Sequence, residues 1–176
     1  GISYLQQDQF DRAGKHLKRA LKLLPADIGS LIALGQVYLR QGDASQAENC
    51  FKEATQFASD DVEIMRLHAL SIMQQGRFAA ALEILDQLLM TAPTDADAFN
   101  KRGFAKQQAG DLVGAIGNYS RAILIQPQFV EAWNNRGYAL RLQGRFEPAL
   151  ADFNRAISLR PEHAAAHANR ATILLA

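Results

Sequence analysis

An all-α array of antiparallel helix pairs is the fold class this sequence predicts, and three observations predict it. A 34-residue step runs from Gly1 through Gly35, Ala69, Gly103 and Gly137 to Ala171 without an insertion. Rows of small residues keep that step beside rows of large apolar ones. Glycines 42, 76, 110 and 144 and prolines 25, 93, 127 and 161 punctuate the chain at regular places. A fixed period of this size marks stacked helical units, each too small to bury its apolar face alone.

Residues 1–27 hold the end of one first helix and a complete second helix, from about Gln9 to Leu24. Four whole repeats follow at 28–61, 62–95, 96–129 and 130–163, and a terminal first-type helix over 164–176 closes the chain. With no linker and no low-complexity tract, residues 1–176 are expected to form a single domain. Asp27, Asp61 and Asp95 stand just before first helices, where a carboxylate accepts hydrogen bonds from free backbone N–H groups. Phe129 and His163 hold that place in the last two, so weaker caps are expected there. Ala13, Ala47, Ala81, Ala115 and Ala149 let two helices approach, and Leu17, Phe51, Leu85, Tyr119 and Phe153 fill the gap between them. Ser59 replaces the closing proline and Ala69 the glycine, which makes 58–70 the least typical junction.

The composition excludes several roles. Nineteen basic against eighteen acidic residues leave a net charge of +1, without the basic excess of a dedicated nucleic-acid binder. Cys50 is the one cysteine, so no intrachain disulfide exists. No apolar run reaches the roughly eighteen residues of a membrane span. Gly1 falls within one first helix and Ala176 within another. The chain therefore reads as a piece of a longer protein, with any targeting segment outside it and the cytoplasm as the default compartment.

Trp133, Gly137, Leu140, Ala149, Phe153, Ala156 and Pro161 closely resemble the tetratricopeptide repeat (TPR) signature, and the resemblance covers the whole chain. It implies a right-handed superhelical solenoid whose first helices line a concave face, with a peptide or helix of a partner protein held there. Carried onto this sequence, the groove exposes Ile32 and Gln36, then Arg66 and Leu70, then Asn100, Lys101 and Phe104. Asn134, Asn135, Tyr138 and Arg141 follow, and Asn169 closes the row. Its N-terminal half is mostly apolar and suits a helix; the amides of its C-terminal half suit an extended backbone.

Asn135 and Asn169, one repeat apart, resemble part of the asparagine ladder in the TPR region of protein O-linked N-acetylglucosamine transferases. Ala33, Leu67 and Lys101 occupy the earlier rungs. The carboxylate clamp of chaperone-binding TPR domains does not match, because its cationic set is absent from successive repeats. Arg102, Arg136 and Arg170 form a second row, read as stems buried between helices with heads near an acid or a carbonyl. Arg12, Lys15, Lys18, Arg19 and Lys22 read as a solvated outer face.

No chemistry-bearing constellation stands out. His163 and His167 are four apart on a helix but lack a third ligand, so they read as a solvent-facing pair and no metal or cofactor is expected. No triad spacing or glycine-rich phosphate loop occurs, so no catalytic residues are assigned. The expected function is a non-enzymatic scaffold or adaptor for a protein or peptide. Its alternatives are a substrate-recruiting arm of a larger enzyme and a homo-oligomeric scaffold assembled through the terminal helices, where Ile173, Leu174 and Leu175 make the last helix apolar on more than one side.

Overall fold

The computed structural model describes residues 4–175, with side chains from Gln9 onward. Among these residues it holds ten α-helices and no strand: α1 (Tyr4–Leu23), α2 (Ile28–Gln41), α3 (Ala44–Phe57), α4 (Val62–Gln74), α5 (Phe78–Thr91), α6 (Ala96–Gln108), α7 (Leu112–Ile125), α8 (Val130–Leu142), α9 (Phe146–Leu159) and α10 (Ala164–Leu174).

 The chain divides into two compact units, Gly1–Thr91 with α1 to α5 and Ala92–Ala176 with α6 to α10.

The turns follow from backbone chemistry. Gly42, Gly76, Gly110 and Gly144 take φ of +81°, +73°, +85° and +74°, the left-handed region that side chains disfavour. Behind Gly42, the Asp43 N–H reaches back to the Tyr38 carbonyl at 2.9 Å and closes the helix end. The next helix then starts at once, because the Asp43 carboxylate accepts from the Gln46 N–H at 3.0 Å. Asp111 does the same for Gly114 at 2.8 Å.

Asp8 holds the equivalent place one repeat before Gly42. No glycine is there to turn the chain, and α1 runs unbroken from Tyr4 to Leu23 where two helices were expected to meet. Asp27, Asp61 and Asp95 cap α2, α4 and α6 as expected, each accepting from the backbone at 2.9–3.0 Å. Phe129 gives α8 no side-chain cap. At His163 the ring Nδ1 accepts from the Ala166 N–H at 3.1 Å and caps α10.

In the first unit α2 packs on α1 and α3, and α4 on α3 and α5. In the second, α7 packs between α6 and α8 and α9 between α8 and α10, while α8 also touches α6 and α10 directly. The second unit therefore has a layer of first-type helices, α6, α8 and α10, backed by α7 and α9. Phe51, Leu85, Tyr119 and Phe153 are fully buried between the layers. Burying each stabilises the fold by roughly 1.5–3 kcal/mol.

Candidate functional site

In the second unit the first-type helices carry a chain of side-chain amides. Asn169 Nδ2 donates to Asn134 Oδ1 at 3.0 Å, and Asn134 Nδ2 donates to Asn135 Oδ1 at 3.4 Å. Asn135 Nδ2 in turn donates to Asn100 Oδ1 at 3.1 Å. The chain thus crosses from α10 over α8 to α6, and its three bonds all point the same way. Each amide offers two N–H donors and two lone pairs, so every member keeps capacity for a ligand.

The bonds between helices join residues 35 apart, one more than the repeat. An asparagine on one first-type helix reaches the residue one place further along its neighbour. The adjacent pair Asn134-Asn135 lets the chain cross α8 and continue. Lys101, on the 34-residue rung, takes no part and pairs with Asp97 at 2.5 Å.

Tyr138 packs against the cluster of Leu140, Ala149 and Phe153, and the Arg141 guanidinium lies 4.8 Å over its ring. Arg141 Nε is buried without a hydrogen-bond partner. Phe104 is exposed on α6. Tyr119 lies beneath this layer, its hydroxyl 3.2 Å from Gln107 Oε1. Burial pushes that hydroxyl well above the ordinary tyrosine range.

The first unit offers an apolar groove of about 770 Å³. Gln36 and Leu70 line it, as do Ala33, Leu39 and Leu67. Ile32 packs instead against Leu31, Ala54 and Ile64, and Arg66 pairs with Glu63 one turn earlier. Phe10, Ala13 and Leu17 of α1 complete the wall, which sequence reasoning missed. Their counterparts Ala47 and Phe51 are fully buried against α2. The aspartate at position 8, where later repeats have glycine, was the available signal.

The arginine row is structural. Arg136 grips the buried Asp152 through Nε at 2.8 Å and Nη2 at 2.7 Å while stacking 4.9 Å from Trp133. Arg102 Nε donates to Asn118 at 2.7 Å, and Arg170 to Asn154 at 2.9 Å. The two histidines of α10, His163 half-buried and His167 exposed, both bond the backbone. His163 supplies the cap, and His167 Nε2 donates to the Pro161 carbonyl at 2.8 Å. Trp133, one repeat earlier, donates likewise to the Pro127 carbonyl at 3.0 Å. Among the described residues no group of three or more His, Cys, Asp or Glu could hold a metal ion, and no helix is long and apolar enough to cross a membrane. Burial pushes the lone thiol, Cys50, up to about 11, which keeps it protonated and unreactive at neutral pH.

Two family profiles described as tetratricopeptide repeat match the chain, one over residues 4–70 and the other over residues 130–163. No curated protein matches it. Among solved structures, one of MamA shares 23% identity at a TM-score of 0.81, over 93% of this chain and 98% of that one. YrrB, described as a TPR protein with an unusual peptide-binding site, shares 21% identity at a TM-score of 0.76, over 93% and 84%. A tetratricopeptide repeat protein from Parabacteroides merdae shares 21% identity at 0.85, over 98% and 68%. With the glycine turns, the buried small-to-large contacts and the paired helices already described, these matches identify the fold as an all-α TPR solenoid. The chain belongs to the tetratricopeptide repeat family.

Proposed function

We propose that this protein is a non-catalytic interaction scaffold that holds a peptide segment of a partner protein on its first-type helices. The amide chain of Asn100, Asn135, Asn134 and Asn169 is the observation that carries this reading. Amides bind peptide N–H and C=O groups whatever the side chains, so the track suits an extended backbone. Phe104, Tyr138 and Arg141 flank it with apolar surface and a positive charge. The apolar groove of the first unit, with Gln36, Leu70 and the α1 residues, suits the apolar face of a helix. The similarity in fold to YrrB supports a peptide ligand.

Peptides selected from a displayed random library against the native protein test the reading. A selected peptide titrated against the Asn135→Ala/Asn169→Ala variant is expected to bind about tenfold more weakly, as the loss of one or two hydrogen bonds implies. Circular dichroism should show unchanged helicity. Unchanged affinity in the double variant would remove the track from the account.

Self-association is a second reading, favoured by the exposure of Leu174 and Leu175 on the last turn of α10.

A further inference from the structure

We propose that Arg141, laid across the ring of Tyr138, receives a carboxylate side chain of an extended peptide lying on the amide track. The inference rests on the peptide-binding reading above and adds the chemistry of the ligand to it.

The cations of the first-type helices in the second unit set Arg141 apart. Lys101 pairs with Asp97 at 2.5 Å and Lys106 with Asp111 at 3.0 Å. Arg102, Arg136 and Arg170 are held by Asn118, Asp152 and Asn154. Arg141 has no hydrogen bond or ion pair to a carboxylate or amide among the described residues, and its guanidinium lies on the face of Tyr138. Glu131, the acid of α8, is turned to Arg160 at 2.8 Å. A guanidinium with no carboxylate beside it keeps its charge uncompensated, and a ligand carboxylate supplies the missing partner.

Position fits the same ligand. Stacking on Tyr138 draws the guanidinium back along α8, to the level of a residue four places after Asn134. Four residues of helix rise about 6 Å. A glutamate or aspartate of a peptide lying across Asn134 and Asn135 spans that gap, while its backbone stays on the amides. Stacking occupies the face of the guanidinium and burial covers Nε, which leaves the two Nη groups for a two-pronged contact with a carboxylate. The contact differs from a clamp shared between repeats, since one helix supplies both the cation and its platform.

The test uses the whole isotope-labelled chain and two probes, acetyl-Ser-Ala-Ser-Glu-Ser-Ala-amide and its glutamine counterpart. The Glu peptide is expected to move the Arg141 Nε–H resonance together with the side-chain amide resonances of Asn100, Asn135 and Asn169. It should also bind about tenfold tighter than the Gln peptide, as a charge-assisted hydrogen bond implies. Arg141→Gln should abolish that preference, so that the two peptides bind it equally. Arg141→Lys, which keeps the charge and loses the fork, should retain only part of it. Equal binding of the two peptides, with the asparagine resonances moving, overturns the carboxylate site and leaves the amide track standing. A preference for Glu that persists in Arg141→Gln also overturns it. If neither peptide moves any of these resonances, both the site and the peptide-binding reading fail.

Discussion

Gly35, Gly103 and Gly137 each face an aromatic ring so closely that a methyl group would not fit. A Cβ on Gly35 would sit 2.6 Å from Phe51, one on Gly103 2.7 Å from Tyr119, and one on Gly137 2.7 Å from Phe153. At the same step the chain has Ala69, and sixteen residues on it has the smaller Leu85 in place of an aromatic. Both Ala69 and Leu85 are fully buried. Volume is thus exchanged across the helix pair, as close packing requires. Gly103→Ala is expected to lose about 2 kcal/mol of stability through overpacking, read by urea unfolding. Adding Tyr119→Leu should cost less in the alanine background than in the wild type, and strict additivity of the two changes would count against the packing account.

His68 stands on the step where Arg102 and Arg136 find Asn118 and Asp152. Its own counterpart sixteen residues on is Ile84, which offers no acceptor. The ring is buried and Nδ1 has no partner. Burial lowers its pKa from 6.5; Glu48 opposes this, and Lys52 and Arg77 add to it. A lowered folded value means that the unfolded chain binds the proton first as pH falls. Stability attributable to His68 is therefore complete above pH 6.5 and is lost as the pH falls below it toward the folded pKa. Urea midpoints at pH 7 and pH 5 should show a smaller acid loss in His68→Leu, which adopts the residue found at Leu34. An identical acid loss in both proteins would exclude His68 as its source.

At the level of the helices, the caps separate regular starts from irregular ones. Asp43 and Asp111 cap α3 and α7, whereas Arg145 at the same step leaves α9 without a side-chain cap. Its side chain is exposed, so replacing it disturbs no core. Arg145→Asp is expected to raise stability by about 1 kcal/mol, as a gained cap does. An unchanged melting temperature would speak against it. The cap at His163 and the run of α1 through Asp8 were not legible from residue type alone. Histidine is an uncommon cap, and its use depends on the ring turning back to the Ala166 N–H. An aspartate permits a turn or a helix, and here the helix continues.

Across the whole chain, nineteen basic residues against eighteen acidic ones leave little net repulsion between copies. Leu174 and Leu175 are 68% and 88% exposed at the end of α10. If these side chains drive self-association, light scattering should show mass rising with concentration. Leu174→Ser/Leu175→Ser should then hold the protein at its monomer mass. A concentration-independent monomer in the unaltered chain would dismiss the idea.

By itself the sequence determined the period, the antiparallel pairs, the turn glycines and the residues that form the core. These depend on local backbone preference and on apolar spacing, both of which repeat with the chain. Only the tertiary structure decided that Asn100, Asn134, Asn135 and Asn169 join into one chain of bonds, and that Arg141 turns back onto Tyr138. Neighbouring helices are offset by one residue, so the bonds fall 35 residues apart and escape a search at 34. A side chain's partner is set by what the next helix brings within reach, and the spacing of residues along the chain does not encode that.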